Sequence, residues 1–523
     1  MRVTIAEQVI PEDPMRDRHF ILLICLLVVL AELPFLEYIT DDTFIHLQFA
    51  KNLLSGHGLA FNAGEPTYGF TSPAWVVMIS AVGLTGAELL WTSKALGLLA
   101  LLVCAVCFYA LALRVSSDRY LARAAAVVWA LNAWSVRWGI SGMETSMVTA
   151  WAVCTLYLFL KERAAGRSRY HPWVLGLACF IRPEAVLLLL ICGAAVALST
   201  KERRWRQAAL TVLPGAVACA AWFSYAFATF GVISPNTVAV KAGRFISLAN
   251  AAQGTYVIAK ILGLTNAPEL LLVASVVVAA VLSRGAARRP DAFHLAAAGW
   301  LVLLPAAYVL RDVQVVSRYL VPVVPLLVLY GFLSLRRASG LLGPARARVR
   351  QLILGLAAVC VVLNVCVLAF VAYPHTHSFS RDMRHSLIFL GKWFSLNSPA
   401  DATVALPDIG AFAYYSDRKV VDLGGLVTPT MIPVLRGRDL DEVITGFLFA
   451  EVSRPDYVID RARAEFRLMG VSRLSGVVTP VVSASVSNLG ITRPGRHFYT
   501  AYAIAWDKLE GYGVTGGEAP ARP

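Results

Sequence analysis

The sequence predicts an all-α polytopic membrane protein carrying a C-terminal extracytoplasmic α/β domain, and three observations predict it. The 523 residues are 58% hydrophobic and 15% charged with a mean hydropathy of +0.64, well above the roughly 45–50% apolar content of soluble domains. Their apolar residues come in runs of about 17 to 25 bounded by charge, the length that ~30 Å of hydrocarbon demands of a helix. After Pro374 the composition turns polar and mixed for about 150 residues, enough for one small domain. The chain therefore divides into a membrane module, 1–373, and an outer domain, 374–523.

The first run, Phe20 to Leu33, follows Arg16 and Arg18 and lacks an A-x-A-like cleavage site, so it reads as an uncleaved membrane helix. Further runs lie near 94–114, 121–139, 146–160, 172–181, 185–199, 207–230, 267–283, 292–310, 319–335 and 351–373, which makes about eleven helices in all. The segment Pro73 to Trp91 decides the topology, because counting it as a span inverts every later loop. If it lies in or dips into the outer interface, the basic clusters at 2–18, 114–123, 161–169, 201–206, 284–289 and 336–350 all fall in the cytoplasm. That is the positive-inside pattern. It places the N-terminus inside and the C-terminal domain outside a cell (inner or plasma) membrane. The net charge of +14 then follows from topology, and no nucleic-acid partner is expected.

All nine cysteines lie in or beside apolar runs, so no disulfide framework holds the outer domain. Cys104 and Cys107 form a lone C-x-x-C without a second ligand pair and read as packing residues.

In this topology the stretches with chemical character all face outward: the loop 39–72 (within a first outer loop, 39–93), GMETS at 142–146, IRPE at 181–184, SPNTVAVKAG at 234–243 and RDVQVVSR at 311–318. Runs 172–181 and 185–199 are short for full spans, which puts Arg182 and Glu184 somewhat below the outer surface, where charge is expensive and is functional or paired. The loop opens with DDTFIHLQFAKNLLSGHG. Ile45, Phe49 and Leu53 form an apolar stripe, predicting an amphipathic helix along the membrane surface that ends at Gly56 or Gly58. Asp41 and Asp42 open that helix. Capping is one reading of the pair. The other is catalytic, a general base beside a metal or hydroxyl ligand, with mutual repulsion raising one pKa. His46 and His57 have no ligand spacing and read as surface or loop residues. Tyr68, Phe70 and Trp75 suit sugar stacking or interfacial anchoring.

The run DDTFIHLQFAKNLLSGHGLAFNAGEPTYGFTSPAW, followed in order by GMETS, IRPEA, SPNTVAVKAG and SRYLVPVVPLL, resembles the GT-C superfamily of polyprenyl-phosphate-sugar-dependent membrane glycosyltransferases. In particular it is similar to the actinobacterial terminal β-(1→2) arabinofuranosyltransferase family. The similarity covers roughly residues 15 to 335, with a weaker echo in DIGAFAYYSDRKVVDLGGL at 408–426. The resemblance implies a GT-C-like fold and an inverting transfer of a sugar, arabinofuranose or another, from a polyprenyl-phosphate donor to a cell-envelope glycan acceptor. By position in the motif Asp41 is the expected base. Asp42 would orient it or hold a divalent cation (Mg, Mn or Ca), for which carboxylates are suitable ligands. Phosphate stabilisation falls to Lys241, Arg182 and Arg318, with an ion pair to Glu184 or Glu144 as the alternative use of Arg182. Glu144, Glu184, Asn236 and Tyr68 complete the expected substrate contacts. A lipid-sugar transporter or a non-catalytic glycan-binding protein of the same fold are the rival readings. The transporter would place ionisable residues near mid-membrane, whereas here they gather at one face.

In the outer domain RHSLIFLGKWF and LDEVITGFLFAEV read as helices. ATVAL, KVVDL, DYVID, VVTPVVSASVS and FYTAYAIAWD read as strands, together a compact α/β module.

Overall fold

The computed structural model describes residues 17–241, 248–265, 269, 272, 274, 291–311, 313, 315–341, 346–487, 489 and 495–510. Among them six helices are long and apolar enough to cross a bilayer: Arg18–Phe35, Leu89–Ser116, Arg204–Phe230, Ala292–Leu310, Ser317–Ser339 and Ala347–Asn397. The chain is a multi-pass membrane protein. The predicted run 267–283 lies almost entirely outside the described residues. The ambiguous segment after the first outer loop forms a helix of 11 residues, Pro73–Gly83, capped by the Ser72 hydroxyl. At 1.5 Å per residue it rises about 16 Å, half the hydrocarbon thickness.

The run 121–139 is divided at Asn132 into helices Arg119–Ala130 and Ala133–Gly139. A break in an apolar environment must satisfy its freed backbone groups internally, and here three polar residues do so. The Asn132 carboxamide oxygen accepts from the Ser135 amide at 2.9 Å, and the Asn364 oxygen accepts from the Ala133 amide at 2.9 Å. Both Asn side chains donate to Glu269 Oε1, at 3.1 and 2.8 Å.

A single helix of 51 residues carries the chain from the membrane module into the outer domain. The composition change at Pro374 therefore does not interrupt the backbone. Pro374 lacks an N–H and its ring crowds the preceding turn, and the helix absorbs this by widening to a π-turn at Leu368–Ala372 just before it. A second π-turn spans Arg384–Ile388. Such single-turn bulges are the usual accommodation of a local defect in an α-helix.

The outer domain is built on a five-stranded mixed sheet with spatial order β2-β1-β3-β5-β4. Here β1 is Thr403–Leu406, β2 Lys419–Asp422, β3 Tyr457–Ala462, β4 Val478–Val486 and β5 His497–Ile504. The first three are mutually parallel, and β5 runs antiparallel to both β3 and β4. All five predicted strands are present. Alternation sends Ala405, Val421, Val458 and Tyr502 to one face, against Met431, Val443 and Phe449. Val404, Leu406, Ile459 and Ala501 go to the other and join the core continuous with the membrane module.

The predicted helix after the first membrane span is Asp41–Leu54, with Thr40 as its cap and both acids in its first turn. Gly56 and Gly58 follow in the left-handed region. It does not lie on a membrane surface with a wetted polar face. Thr43 to Ala50 are buried without interruption: helix Gly410–Ser416 of the outer domain packs on the Asp41 and Phe44 side, Thr43 bonds the Ser141 carbonyl, and Gln48 bonds the Phe61 carbonyl. Gly410 is where the two helices come closest: a Cβ there would stand 2.0 Å from the Asp41 carbonyl oxygen. Gly410→Ala should therefore destabilise the docked arrangement by about 1 to 3 kcal/mol, the usual cost of overpacking, read as a lowered thermal midpoint of the detergent-solubilised protein.

Candidate active site

Adjacent residues on a helix point about 100° apart, and helix Asp41–Leu54 uses this to serve two cavities. The Asp41 carboxylate turns toward the outer domain. Its Oδ1 accepts from the Ala411 amide at 2.8 Å and its Oδ2 from the Gly410 amide at 3.0 Å, so it closes the free N–H groups at the start of helix Gly410–Ser416. At the other end of the same pair Lys51 donates to the Tyr414 carbonyl at 3.3 Å and pairs with Asp417. An acid at the amino end and a base at the carboxyl end complement the dipole of the docked helix. The cavity beside Asp41 is lined by Asp382, Ser386, Asp408, Arg461 and Tyr499. Arg461 and the Tyr499 hydroxyl both bond Asp408, at 2.5 and 2.6 Å. Burial, with the Asp408 charge nearby, raises the Asp41 carboxyl to about 7 despite its two amide donors.

Asp42 faces the second cavity, in the membrane module. Arg318, in the turn Ser317–Tyr319, donates to Asp42 Oδ2 at 2.5 Å. Arg182 sits opposite, held extended at φ −166° between helix Ala178–Ile181 and Pro183, as expected of a residue before proline. Its Nε lies 3.1 Å from Glu144 Oε1 and 3.3 Å from Glu184 Oε1, and Glu184 also accepts from the Tyr308 hydroxyl at 2.7 Å. The Tyr319 ring lies between the two guanidinium groups, 5.0 Å from that of Arg182 and 5.4 Å from that of Arg318, a cation–π arrangement that fixes both. Glu144 opens helix Thr145–Ala164, and Gly142 before it is in the left-handed region. A Cβ at Gly142 would meet the Thr43 methyl at 2.5 Å, so the GMETS turn packs directly on the acidic helix.

The structure thus brings Asp42, Glu144, Arg182, Glu184 and Arg318 together, from four segments distant along the chain. It does not bring Asp41 into the same cavity: the two acids diverge and do not form one chelating pair. Among the described residues no group of three or more His, Cys, Asp or Glu side chains converges as a metal site.

Two of the expected contacts are held within the packing. Tyr68 is buried against Phe70, Trp222 and Phe230, with its hydroxyl accepting from Trp222 Nε1 at 2.7 Å. Asn236 donates to the Leu426 carbonyl at 3.0 Å and its amide to the Tyr68 carbonyl at 2.8 Å, tying the loop to the outer domain. Trp75 is fully buried and donates to the Gly142 carbonyl, so neither it nor Tyr68 is an interfacial anchor. Lys241 closes helix Asn236–Lys241, and its side chain lies outside the described residues.

Sequence reading missed three participants. His46, expected at a surface or loop, is buried in the second cavity. Tyr319 is adjacent to the expected Arg318, and nothing in its local sequence announces a ring shared by two arginines. The third is the loop after β2, where the Asp422 carboxylate gathers the amides of Gly424, Leu426 and Val427 and presents Leu426 to the cavity. Burial raises that carboxyl to about 6. Gly69 admits this loop, since a Cβ there would lie 2.6 Å from Val427 Cγ1.

With this geometry defined, comparison with solved structures gives the class: the chain has the fold of the GT-C glycosyltransferases. It superposes on ArnT from Cupriavidus metallidurans, determined with undecaprenyl phosphate bound, with a TM-score of 0.57 over 93% of this chain and 98% of that one, at 13% identity. The apo oligosaccharyltransferase of Archaeoglobus fulgidus gives a TM-score of 0.58 over 94% of this chain and 74% of its own, again at 13% identity. In particular, the chain is similar to the terminal β-(1→2)-arabinofuranosyltransferase of Mycobacterium tuberculosis, 26% identical over 223 residues, 39% of this chain and 35% of that protein. It therefore spans about a third of the length of the curated relative it matches. Residues 379–507 match a family described as a domain of unknown function, DUF8728.

Two outcomes follow. Because the folded Asp41 carboxyl titrates near 7 against an ordinary 3.8, ionising it opposes folding. Its cost is absent below pH ~4 and complete above ~7. The thermal midpoint of the full chain should fall over that window as pH rises, and Asp41→Asn should flatten the slope. Arg182→Leu leaves Glu144 and Glu184 without their shared cation and should destabilise by about 3 to 5 kcal/mol, measured by the same melt.

Proposed function

We propose that the protein is an inverting glycosyltransferase that moves a sugar from a polyprenyl-phosphate donor to a cell-envelope glycan acceptor at the outer face of the membrane. The observation that carries this reading is one partly exposed carboxylate, Asp42, bonded to the Arg318 guanidinium in a cavity that the Arg182 guanidinium also lines. Undecaprenyl phosphate in the ArnT structure and the arabinofuranosyl activity of the mycobacterial relative support the donor class, and the latter favours arabinofuranose over a hexose. About eleven crossings with the N-terminus inside are part of the proposal, since that topology alone gathers the basic loops on the cytoplasmic side.

In the proposed reaction the acceptor oxygen attacks the anomeric carbon as the bond from that carbon to the phosphate oxygen breaks, and the configuration inverts. Asp42 takes the proton of the attacking hydroxyl. The pair of electrons leaves on the polyprenyl phosphate, which Arg318, Arg182 and, by its sequence position, Lys241 stabilise. Before donor binding Asp42 is engaged by Arg318. A phosphate arriving at Arg318 competes for that guanidinium and releases the carboxylate to act as base, so donor binding itself arms the site. We assign the base to Asp42 because both oxygens of Asp41 are occupied by the Gly410 and Ala411 amides. Asp41 is then a positioning residue.

The test is incubation of the purified full chain with a panel of radiolabelled polyprenyl-phosphate sugars and an arabinan acceptor. Transfer of one label by the wild type, reduced at least about 100-fold by Asp42→Asn and less by Asp41→Asn, is the expected result. Full activity of Asp42→Asn would remove that residue from the mechanism.

A further inference from the structure

The second cavity holds an unexplained pair of polar atoms. His46 and Glu144 are 4% and 1% exposed. His46 Nε2 and Glu144 Oε2 stand 3.9 Å apart, and neither has a hydrogen-bond partner. Buried polar atoms without partners are costly, and each calls for an explanation. The other ring nitrogen removes the ambiguity of tautomer. His46 Nδ1 lies 3.2 Å from the Asp42 carbonyl oxygen, which can only accept, so Nδ1 carries a proton; in the neutral ring of that tautomer Nε2 presents a lone pair. Two acceptors therefore face each other, too far apart to bond directly and correctly placed for a donor between them. Glu144 Oε1 is already engaged, by Arg182 and by the Thr71 hydroxyl at 3.4 Å, which leaves Oε2 aimed at the gap.

We infer that His46 and Glu144 bound a subsite for one hydroxyl of the donor sugar, its O–H donating to one acceptor while its oxygen stays within the cavity. This rests on the glycosyltransferase reading above. The geometry selects the sugar: its phosphate must reach Arg318 and its anomeric carbon must lie near Asp42, and His46 is one helical turn from Asp42 on the same face. A ring attached to that phosphate meets the gap with its hydroxyls. A site built to hydrogen-bond a hydroxyl rejects the analogue that lacks it, because the buried acceptor it served is then left unpaired. His46 is therefore a specificity-determining residue.

The experiment has two arms, both on the full chain. The first measures transfer from farnesylphosphoryl-β-D-arabinofuranose and its 2-, 3- and 5-deoxy counterparts by the wild type and by His46→Phe. One deoxy donor should lose about ten- to hundredfold in kcat/KM with the wild type. His46→Phe should lose a similar factor on the parent donor and little more on that deoxy donor. Losses that multiply for every deoxy donor would overturn the subsite while leaving the glycosyltransferase reading intact; wild-type protein that moves no arabinofuranose would count against that sugar itself. The second arm needs no sugar: the 15N-histidine spectrum, with the His46 signal assigned by its absence from His46→Gln, should give a neutral ring protonated at Nδ1. An imidazolium bound to Glu144 would overturn the inference whatever the first arm returns.

Discussion

The contact on which the rest of this structure depends is the parallel packing of helix Asp41–Leu54 against helix Gly410–Ser416, clamped at one end by Asp41 and at the other by Lys51. It joins the two halves of the chain, and it fixes the rotation of the acidic helix about its own axis. Because Asp41 and Asp42 are about 100° apart on that helix, locking the first toward the outer domain aims the second at Arg318. The outer domain is thus more than a cap over the membrane module. The same rotation sets His46 and Ile45 into the cavity and presents Thr43 to the Gly142 turn.

A second constraint is the distribution of small residues where backbones must meet. Gly69, Gly142 and Gly410 each occupy a position where a side chain would collide with a partner far away in sequence. Two of these contacts, at Gly69 and Gly410, lie between the loop after the first helix and the outer domain. The stretch 408–426 supplies Gly410 and, with the Leu426 carbonyl 3.0 Å from where a Gly69 Cβ would stand, part of the second contact, along with the Asp422-centred turn that carries Leu426. It is the surface that meets the membrane module.

Much of the architecture was legible because it is written in local pattern. Six of the eleven apolar runs marked helices long enough to cross a bilayer among the described residues, all five strands were placed, and Pro73–Gly83, like Pro183–Ser199, is shorter than a span. The motif stretches also pointed to Glu144, Arg182, Glu184 and Arg318, which meet around Asp42. What stayed hidden depended on tertiary position. Nothing local separates Asp41 from Asp42, since both open the same turn, and only the docked helix decides which carboxylate is occupied. His46 looked like a surface residue because the groups that bury it, among them Thr71, Glu144 and Arg182, come from segments distant along the chain. Tyr68 looked like a ligand platform because aromatic residues in a loop carry no label that distinguishes a stacking face from a core ring.

The 51-residue helix Ala347–Asn397 has a mechanical meaning as well. At 1.5 Å per residue its contour is about 76 Å, more than twice the hydrocarbon thickness. It ties the sheet to the bilayer as a strut, where a flexible tether would leave the separation free. The height of the sheet above the lipid is then a built dimension of the molecule, and the two π-turns are the places where that strut can flex.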